Sequence, residues 1–571
     1  MAFEQYYQQW VNLTREEEDL ALELQAVKTD KKALEDRFYQ DLAFGTGGMR
    51  GIIGAGRNRI NIFTIRRAAA GLADLLNSDP TKPRKSVAIG FDSRKFSGRF
   101  ARETALVLAA RGIKAYLFDS LRPVPLLSFA VRHLQADAGV VITASHNPPE
   151  YNGFKVYDWD GGQLPPDKAE QVTAFIRKLT FEEALPMPEK EALEQGLLEI
   201  IGPEVDDAYT AMVLKLMVRP ELVRQVGADL KIVYTPLHGS GNLPVRRTLK
   251  EAGISNVTVV KEQELPDPNF STVKSPNPED PAAFTLAIPL AEAVGATVMG
   301  TDPDCDRLGV CVKNPEGHFI TLNGNQIASI LLHHILSARK QDGSLPANGA
   351  VIMSIVSTNL ARAICEDYGV TLFEVLTGFK FVGEKILEFE KTGSHSFLFG
   401  FEESYGYLSG TDVRDKDAVN AALLVAEAAC VCMHEGITLY ERLQQIYQKY
   451  GYYIETTWSG TYPGKEGADK ILSIMGTLRG SAPDSIGGLK VLAVRDYLAR
   501  TVTKDGQTTA LTFPSSDVVY FDLEGGAWAC ARPSGTEPKI KFYVGISHPD
   551  SMEAAEDAAK NLLEAFKGMA E

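Results

Sequence analysis

Cysteine is scarce in this chain: six residues in 571, at Cys305, Cys311, Cys365, Cys430, Cys432 and Cys530. None forms a C-x-x-C pair, and several sit in apolar runs. That pattern reads as reduced, buried thiols of a cytoplasmic protein, not a disulfide framework. Long apolar runs are also lacking. The one near Ala421–Met433 contains Glu427 and is too short to cross a bilayer. The opening residues, "MAFEQYYQQW", have neither the basic nor the apolar region of a signal peptide. Positive charge is in deficit, with a formal net charge of −15. This argues against nucleic acid or an anionic membrane as the main partner, so an anionic ligand needs local positive charge. No G-x-x-x-x-G-K-[ST] motif occurs, which argues against an ordinary ATP-driven kinase or ATPase. Ser145, in "TASHNPP", lacks glycine two residues before and after it, which excludes a hydrolase nucleophile elbow.

What is present describes a globular chain. Composition is 44% hydrophobic and 23% charged, enough for a large core. At ~100–200 residues per domain the length predicts three to five domains. The first stretch reads as helical, followed by a Gly-rich loop, "FGTGGMRG". Strands then alternate with helices: "SVAIGF", "RFARETALVLAAR", "KAYLFD", "PLLSFAVRHL", "AGVVIT". The order returns with "LKIVYT", a helix around Pro244–Ala252, "VTVVKE", a helix near Ala282–Val294 and "ATVMGT". It returns again with "AVIMSIV", "NLARAICEDYG", "TLFEVLT", "FVGEKILEFEK" and "SFLFGFE". Such alternation predicts parallel sheets with crossover helices, repeated three times as element order without literal identity. The C-terminal part differs. "GAWACARPSGTEPKIKFYVGI" reads as two strands around a loop, followed by a helix, in a smaller α+β domain.

The final strand of each repeat runs into a polar segment: "ASHNPPEYNGFK", "DPDCDR" and "EESYGY". Ligands of open parallel sheets bind beyond the carboxyl ends of strands. In "TDPDCDRLG", Asp302, Asp304 and Asp306 alternate, which on an extended backbone places three carboxylates on one side with Cys305 facing away. Clustered carboxylates require a hard cation, Mg²⁺ or Ca²⁺. A calcium loop fails on spacing, with Arg307 and Lys313 where glycine and glutamate are needed. The bland alternative is an acidic turn. In "RPSGTEPKIK", Arg532, Ser534, Gly535, Thr536, Lys539 and Lys541 supply donors suited to phosphate, or else form an ordinary hairpin turn. In "GFEESYGYL", Glu402 and Ser404 are spaced to bond sugar hydroxyls, whereas the neighbours Glu402 and Glu403 diverge. Ser145 alone reads as a turn residue, and His146 beside it points to the opposite face if the segment is extended. A metal, basic groups and a hydroxyl together indicate phosphoryl transfer.

Taken together, "TASHNPPEYNGFKVY", "GTDPDCDRLGV", "GFEESYGYL" and "RPSGTEPKIKFY" resemble the α-D-phosphohexomutase superfamily over nearly the whole chain, in the right order. "FEESYGYLSGTDVRDKDAV" and "SPNPED" resemble its phosphoglucomutase/phosphopentomutase branch. The resemblance implies an α/β fold: three αβα domains with mainly parallel mixed sheets, plus a smaller C-terminal α+β domain, around a central cleft. It implies domain I at 1–205 with N-terminal helices and the phosphoserine loop, and domain II at 206–323 with the metal-binding loop. Domain III at 324–454 would carry the sugar-binding loop and domain IV at 455–571 the phosphate-binding loop. It implies that Ser145 is a phosphoserine that donates its phosphoryl group to a sugar monophosphate. One Mg²⁺ per subunit would be held by Ser145 phosphate, Asp302, Asp304 and Asp306. Glucose 1,6-bisphosphate would be activator and intermediate. Glu402 and Ser404 match the sugar loop, and Arg532, Ser534, Gly535 and Thr536 the loop for the non-reacting phosphate. Arg50, Lys155, Arg307 and Lys380 match active-site cations, each with a surface-cation alternative. His146, Lys380 and Lys155 are candidates for general acid and base. His238, in "TPLHGSG", is expected to support a loop.

The expected activity is a cytoplasmic isomerase-class phosphoglucomutase acting on phosphosugars, monomeric or weakly dimeric, without nucleic acid or membrane. The alternatives are a phosphopentomutase for ribose or deoxyribose phosphates, a glucose 1,6-bisphosphate synthase, and a silent scaffold. The intact serine and aspartates argue against the scaffold. One departure, Pro303 and Cys305 where many relatives carry small residues, leans toward pentose substrates.

Overall fold

The computed structural model describes residues 2–45, 47–81, 85–462, 464–480, 483–534, 539–549 and 551–569. It comprises two compact units: Met1–Leu322 with Gly383–Glu388 and Gly406–Val431, and Asn323–Val382 with Phe389–Tyr405 and Cys432–Glu571.

The first unit opens with helices Ala2–Leu13, Glu18–Ala26 and Lys31–Phe38. Trp10 fixes them to the core, edge-on to Phe38, Phe63 and Phe181 at centroid distances of 6.0, 5.8 and 5.1 Å. Two sheets follow. The first has seven strands, in the order Phe44–Gly45, Gly48–Ile52, Tyr151–Asp158, Ala138–Ile142, Ser86–Phe91, Lys114–Phe118 and Leu198–Ile201. The last four run parallel. Every residue of Ala138–Ile142 is buried. Helices on both faces explain its unbroken apolar run, and each large aliphatic side chain buried there contributes about 1.5–3 kcal/mol. The second sheet runs Phe319–Leu322, Leu308–Lys313, Thr297–Thr301, Ile232–Thr235 and Val257–Val259, parallel among the last three.

The second unit contains parallel strands Thr371–Val375, Gly349–Ser354 and Ser396–Glu402. In all three sheets the first strand of the repeat lies between the second and the third. The repeat anticipated from element order is therefore a topological one. The C-terminal sheet is antiparallel, running Tyr452–Thr461, Lys539–His548, Trp528–Pro533, Val519–Leu523 and Leu489–Asp496, then a hairpin. Ile474, Met475 and Leu478 from helix Gly464–Gly480, and Leu562 and Phe566 from helix Met552–Gly568, cover its inner face.

Several local expectations change. "FGTGGMRG" is not simply a loop, because Phe44–Gly45 and Gly48–Ile52 add an antiparallel edge to the first sheet. The polar segment after Ile142 contains the strand Tyr151–Asp158, whose buried interior includes Asn152 and Lys155. The helix expected near 282–294 splits into a 3₁₀ turn, Pro281–Phe284, and a helix, Ala287–Val294. All six cysteines are buried and unbridged. Among the described residues no single helix is long and apolar enough to cross a membrane.

Candidate active site

Each polar motif leaves the end of a third strand, as sheet topology requires. After Ile142 the chain turns instead of extending. Thr143 Oγ1 accepts the Ser145 amide at 2.8 Å, and Ser145 is left-handed, with φ +53°. This overturns the expectation that Ser145 and His146 diverge: the serine Oγ lies 3.1 Å from His146 Nδ1. Close approach is enforced next door, where a Cβ on Gly153 would meet the carbonyl oxygens of Thr143 at 2.6 Å and Met49 at 2.8 Å.

The aspartate motif is also a turn, not an alternating strand. The Cys305 amide donates to the Asp302 carbonyl at 2.9 Å, and Cys305 has φ +53°. The amides of Asp306 and Arg307 both donate to Asp302 Oδ1 at 3.1 Å. The turn brings the three carboxylates together, one oxygen from each lying within 4.8 Å of the others. Cys305 points away from them, as anticipated, toward Tyr234, Thr301 and Gly241. The loop is braced from behind. The Ser240 amide and hydroxyl donate to the Pro303 carbonyl at 2.8 and 2.9 Å, and the Val124 amide to that of Asp304 at 2.9 Å. His238 supports this region, its Nδ1 2.9 Å from the Leu265 carbonyl and its Nε2 2.8 Å from Thr272 Oγ1.

The two loops meet. Ser145 Oγ donates to Asp302 Oδ2 at 2.8 Å. Lys155 Nζ lies 2.9 Å from Asp304 and 3.7 Å from Asp306. Burial first, then the neighbouring Asp304 and Asp306, raises Asp302 well above the ordinary carboxylate range. Burial alone would raise Asp304 too, but the Lys155 ammonium reverses this and holds it low. Asp304 Oδ1 and Asp306 Oδ1 are buried without a hydrogen-bond partner. Oxygen-only donors and orphaned lone pairs make this cluster able to hold a hard divalent cation. Burial, then Arg307 and Arg50, pushes His146 well below its ordinary value, so the imidazole is neutral near pH 7. Arg50 Nη1 donates to Asn147 Oδ1 at 3.1 Å, and Arg307 pairs with Glu279.

Sequence reasoning missed two groups here. Lys416 Nζ lies 3.1 Å from both Asp306 and Asp415, and Asp415 accepts from Tyr157 and Gln163 at 2.9 Å each. The signal was the run "RDKD", fully charged yet placed before an apolar helix. Arg94, with Asp92, is buried beneath the serine loop and was not distinguishable from a surface cation.

The remaining candidates lie in the second unit. Glu402, buried, ends strand Ser396–Glu402, and Ser404 follows in a turn whose next residue, Tyr405, has φ +64°. Glu403 accepts from Ser354 Oγ at 2.8 Å. Lys380 opens helix Lys380–Thr392. Arg532 is the last residue but one of strand Trp528–Pro533, and the Ser534 amide donates to the Lys539 carbonyl at 2.7 Å. Gly535 and Thr536 lie outside the described residues.

Family models of phosphoglucomutase/phosphomannomutase match three successive stretches: α/β/α domain I at 41–183, domain II at 207–317 and domain III at 323–450. The chain belongs to the phosphoglucomutase/phosphomannomutase family. A phosphoglucomutase of Staphylococcus haemolyticus is 39% identical over 530 residues, 92% of this chain and 93% of the relative. One from Staphylococcus aureus strain MRSA252 is 40% identical over 523 residues, covering 91% and 92%. In fold, the chain is similar to Paramecium parafusin, a phosphoglucomutase solved in an open form, with TM-score 0.69 and 18% identity over 93% of this chain and 95% of that one. The phosphoglucomutase/phosphomannomutase models cover both loops that meet at Ser145 and Asp302.

Proposed function

We propose that this protein is a phosphoglucomutase, interconverting glucose 1-phosphate and glucose 6-phosphate through a phosphoserine at position 145. The observation that carries the reading is the 2.8 Å contact between Ser145 Oγ and one carboxylate of a buried three-aspartate cluster. Curated phosphoglucomutases matching nine-tenths of the chain support it.

The substrate hydroxyl attacks the phosphorus of Ser145 phosphate, a new O–P bond forms and the P–Oγ bond breaks. The hydroxyl proton passes to a base in the site, and the departing Ser145 Oγ takes up a proton from an acid there. His146, kept neutral and beside Oγ, is one candidate, with Lys155 and Lys380 the others. The resulting glucose 1,6-bisphosphate turns over and returns its other phosphoryl group to the serine. Asp302, Asp304 and Asp306, with the serine phosphate, would hold one Mg²⁺, which supplies Lewis-acid stabilisation of charge on the transferring group. Arg50 and Arg307 add positive charge around it. Glu402 and Ser404 bond sugar hydroxyls, while Arg532, Ser534, Gly535 and Thr536 hold the non-reacting phosphate. In this reading the four domains divide near 205/206, 323/324 and 454/455. The ligands are phosphosugars, and the protein works in the cytoplasm as a monomer or weak dimer.

A carboxylate that accepts two vicinal hydroxyls favours glucose over the altered C2 of mannose. The test compares kcat/KM for glucose 1-phosphate, mannose 1-phosphate and ribose 1-phosphate with bisphosphate primer and Mg²⁺. Glucose 1-phosphate should lead. A higher value for ribose 1-phosphate would refute the glucose assignment and leave the phosphoserine mechanism standing.

A further inference from the structure

We propose that Arg94, Phe270 and Ser275 form a clamp that positions the reactive serine, a role that rests on the mutase reading above. The serine loop is held by its backbone carbonyls. Arg94 Nη1 donates to those of Pro148 at 2.8 Å and Tyr151 at 3.0 Å. Its Nη2 donates to the carbonyls of Ser145 and Asn147. The carbonyl between them, that of His146, accepts from Ser275 Oγ at 2.9 Å. One planar guanidinium thus gathers four acceptors, which an ammonium cannot do from a single position.

The guanidinium is itself fixed. Asp92 Oδ2 is 3.3 Å from its Nε, and the fully buried Phe270 ring lies 4.9 Å below its carbon centre. Phe270 and Ser275 both come from the segment between Leu265 and Asp280, which carries the "SPNPED" motif. His238 pins one part of that segment through Leu265 and Thr272. A stretch attached to the second sheet therefore sets a loop of the first.

The clamp has a physical task. Ser145 adopts a left-handed conformation that crowds the Cβ of an L-residue, so outside contacts must maintain it. Its Oγ must also stay beside Asp302. Ser275 bonds the backbone carbonyl of His146, and Phe270 packs against the Arg94 guanidinium. They act through the His146 carbonyl and Arg94, so they are positioning residues.

The test uses full-length Phe270→Leu, Ser275→Ala and Ser275→Thr proteins, each with Mg²⁺ and glucose 1-phosphate. A misplacement of about 1 Å should lower kcat roughly 10–100-fold in the first two variants, with KM within about twofold of wild type. Ser275→Thr keeps the hydroxyl and should recover most of kcat. Amide hydrogen exchange across 144–151 should quicken in Phe270→Leu and Ser275→Ala. Wild-type kcat with unchanged exchange in both would overturn the clamp, as would a rise in KM at constant kcat. If wild-type protein shows no mutase activity, the functional reading fails and exchange alone decides. Faster exchange at 144–151 in the two variants then upholds the clamp, and unchanged exchange overturns it.

Discussion

Lys155 shows what one residue does at the centre of the site. Its ammonium lies 2.9 Å from Asp304 and 3.7 Å from Asp306, and the Lys416 ammonium lies 3.1 Å from Asp306. Replacing Lys155 with methionine removes a buried partner, which typically costs about 3–5 kcal/mol. A divalent cation held by the same carboxylates would supply positive charge in place of the lost ammonium. Lys155→Met should therefore lose that much stability in chelator and far less in excess Mg²⁺, read by thermal unfolding. An equal loss in both conditions would contradict a cation site here. At this scale the sequence was legible for the wrong reason. Alternation picked Asp302, Asp304 and Asp306 correctly, yet a turn with Cys305 at φ +53° gathers them. Lys416 and Arg94 were missed because the groups that tie them to the site, Asp306 and the Ser145 carbonyl, lie far away in sequence.

Elements were easier to read. The three parallel strands of each repeat fell where apolar runs alternate with helices, and in central ones such as Ala138–Ile142 burial on both faces leaves a continuous signal. Tyr151–Asp158 escaped because a buried lysine and asparagine interrupt it. Strand Tyr452–Thr461 carries a comparable irregularity, Glu455, which accepts from Asn325 Nδ2 at 3.1 Å. Burial raises its carboxyl from the ordinary 4.5 to about 7, with hydrogen bonds from Thr358 and Asn325 offsetting only part. A raised acid binds a proton in the folded state where the unfolded chain has lost it. Stability is therefore full below about pH 4.5 and declines as pH rises to about 7, by about 3 kcal/mol in all. Glu455→Gln should match wild type at pH 5 and exceed it at pH 8 in denaturant unfolding. A variant no more stable at pH 8 would refute this.

For the whole molecule, the family and the phosphoryl-transfer chemistry were legible because four motifs recur in order along a single chain. Left-handed residues at Ser145, Cys305 and Tyr405 were not, since no glycine announces them. The proposed reaction turns on one covalent event at Ser145. It is tested by incubating the protein with Mg²⁺ and glucose 1,6-bisphosphate carrying labelled phosphate, mapping the label by peptide mass spectrometry, then chasing with unlabelled glucose 1-phosphate. The prediction is one labelled phosphoryl group, on Ser145, that leaves during the chase and appears in the hexose phosphate products. Mutase turnover with Ser145 unlabelled, or label that stays on Ser145 through the chase, would contradict it.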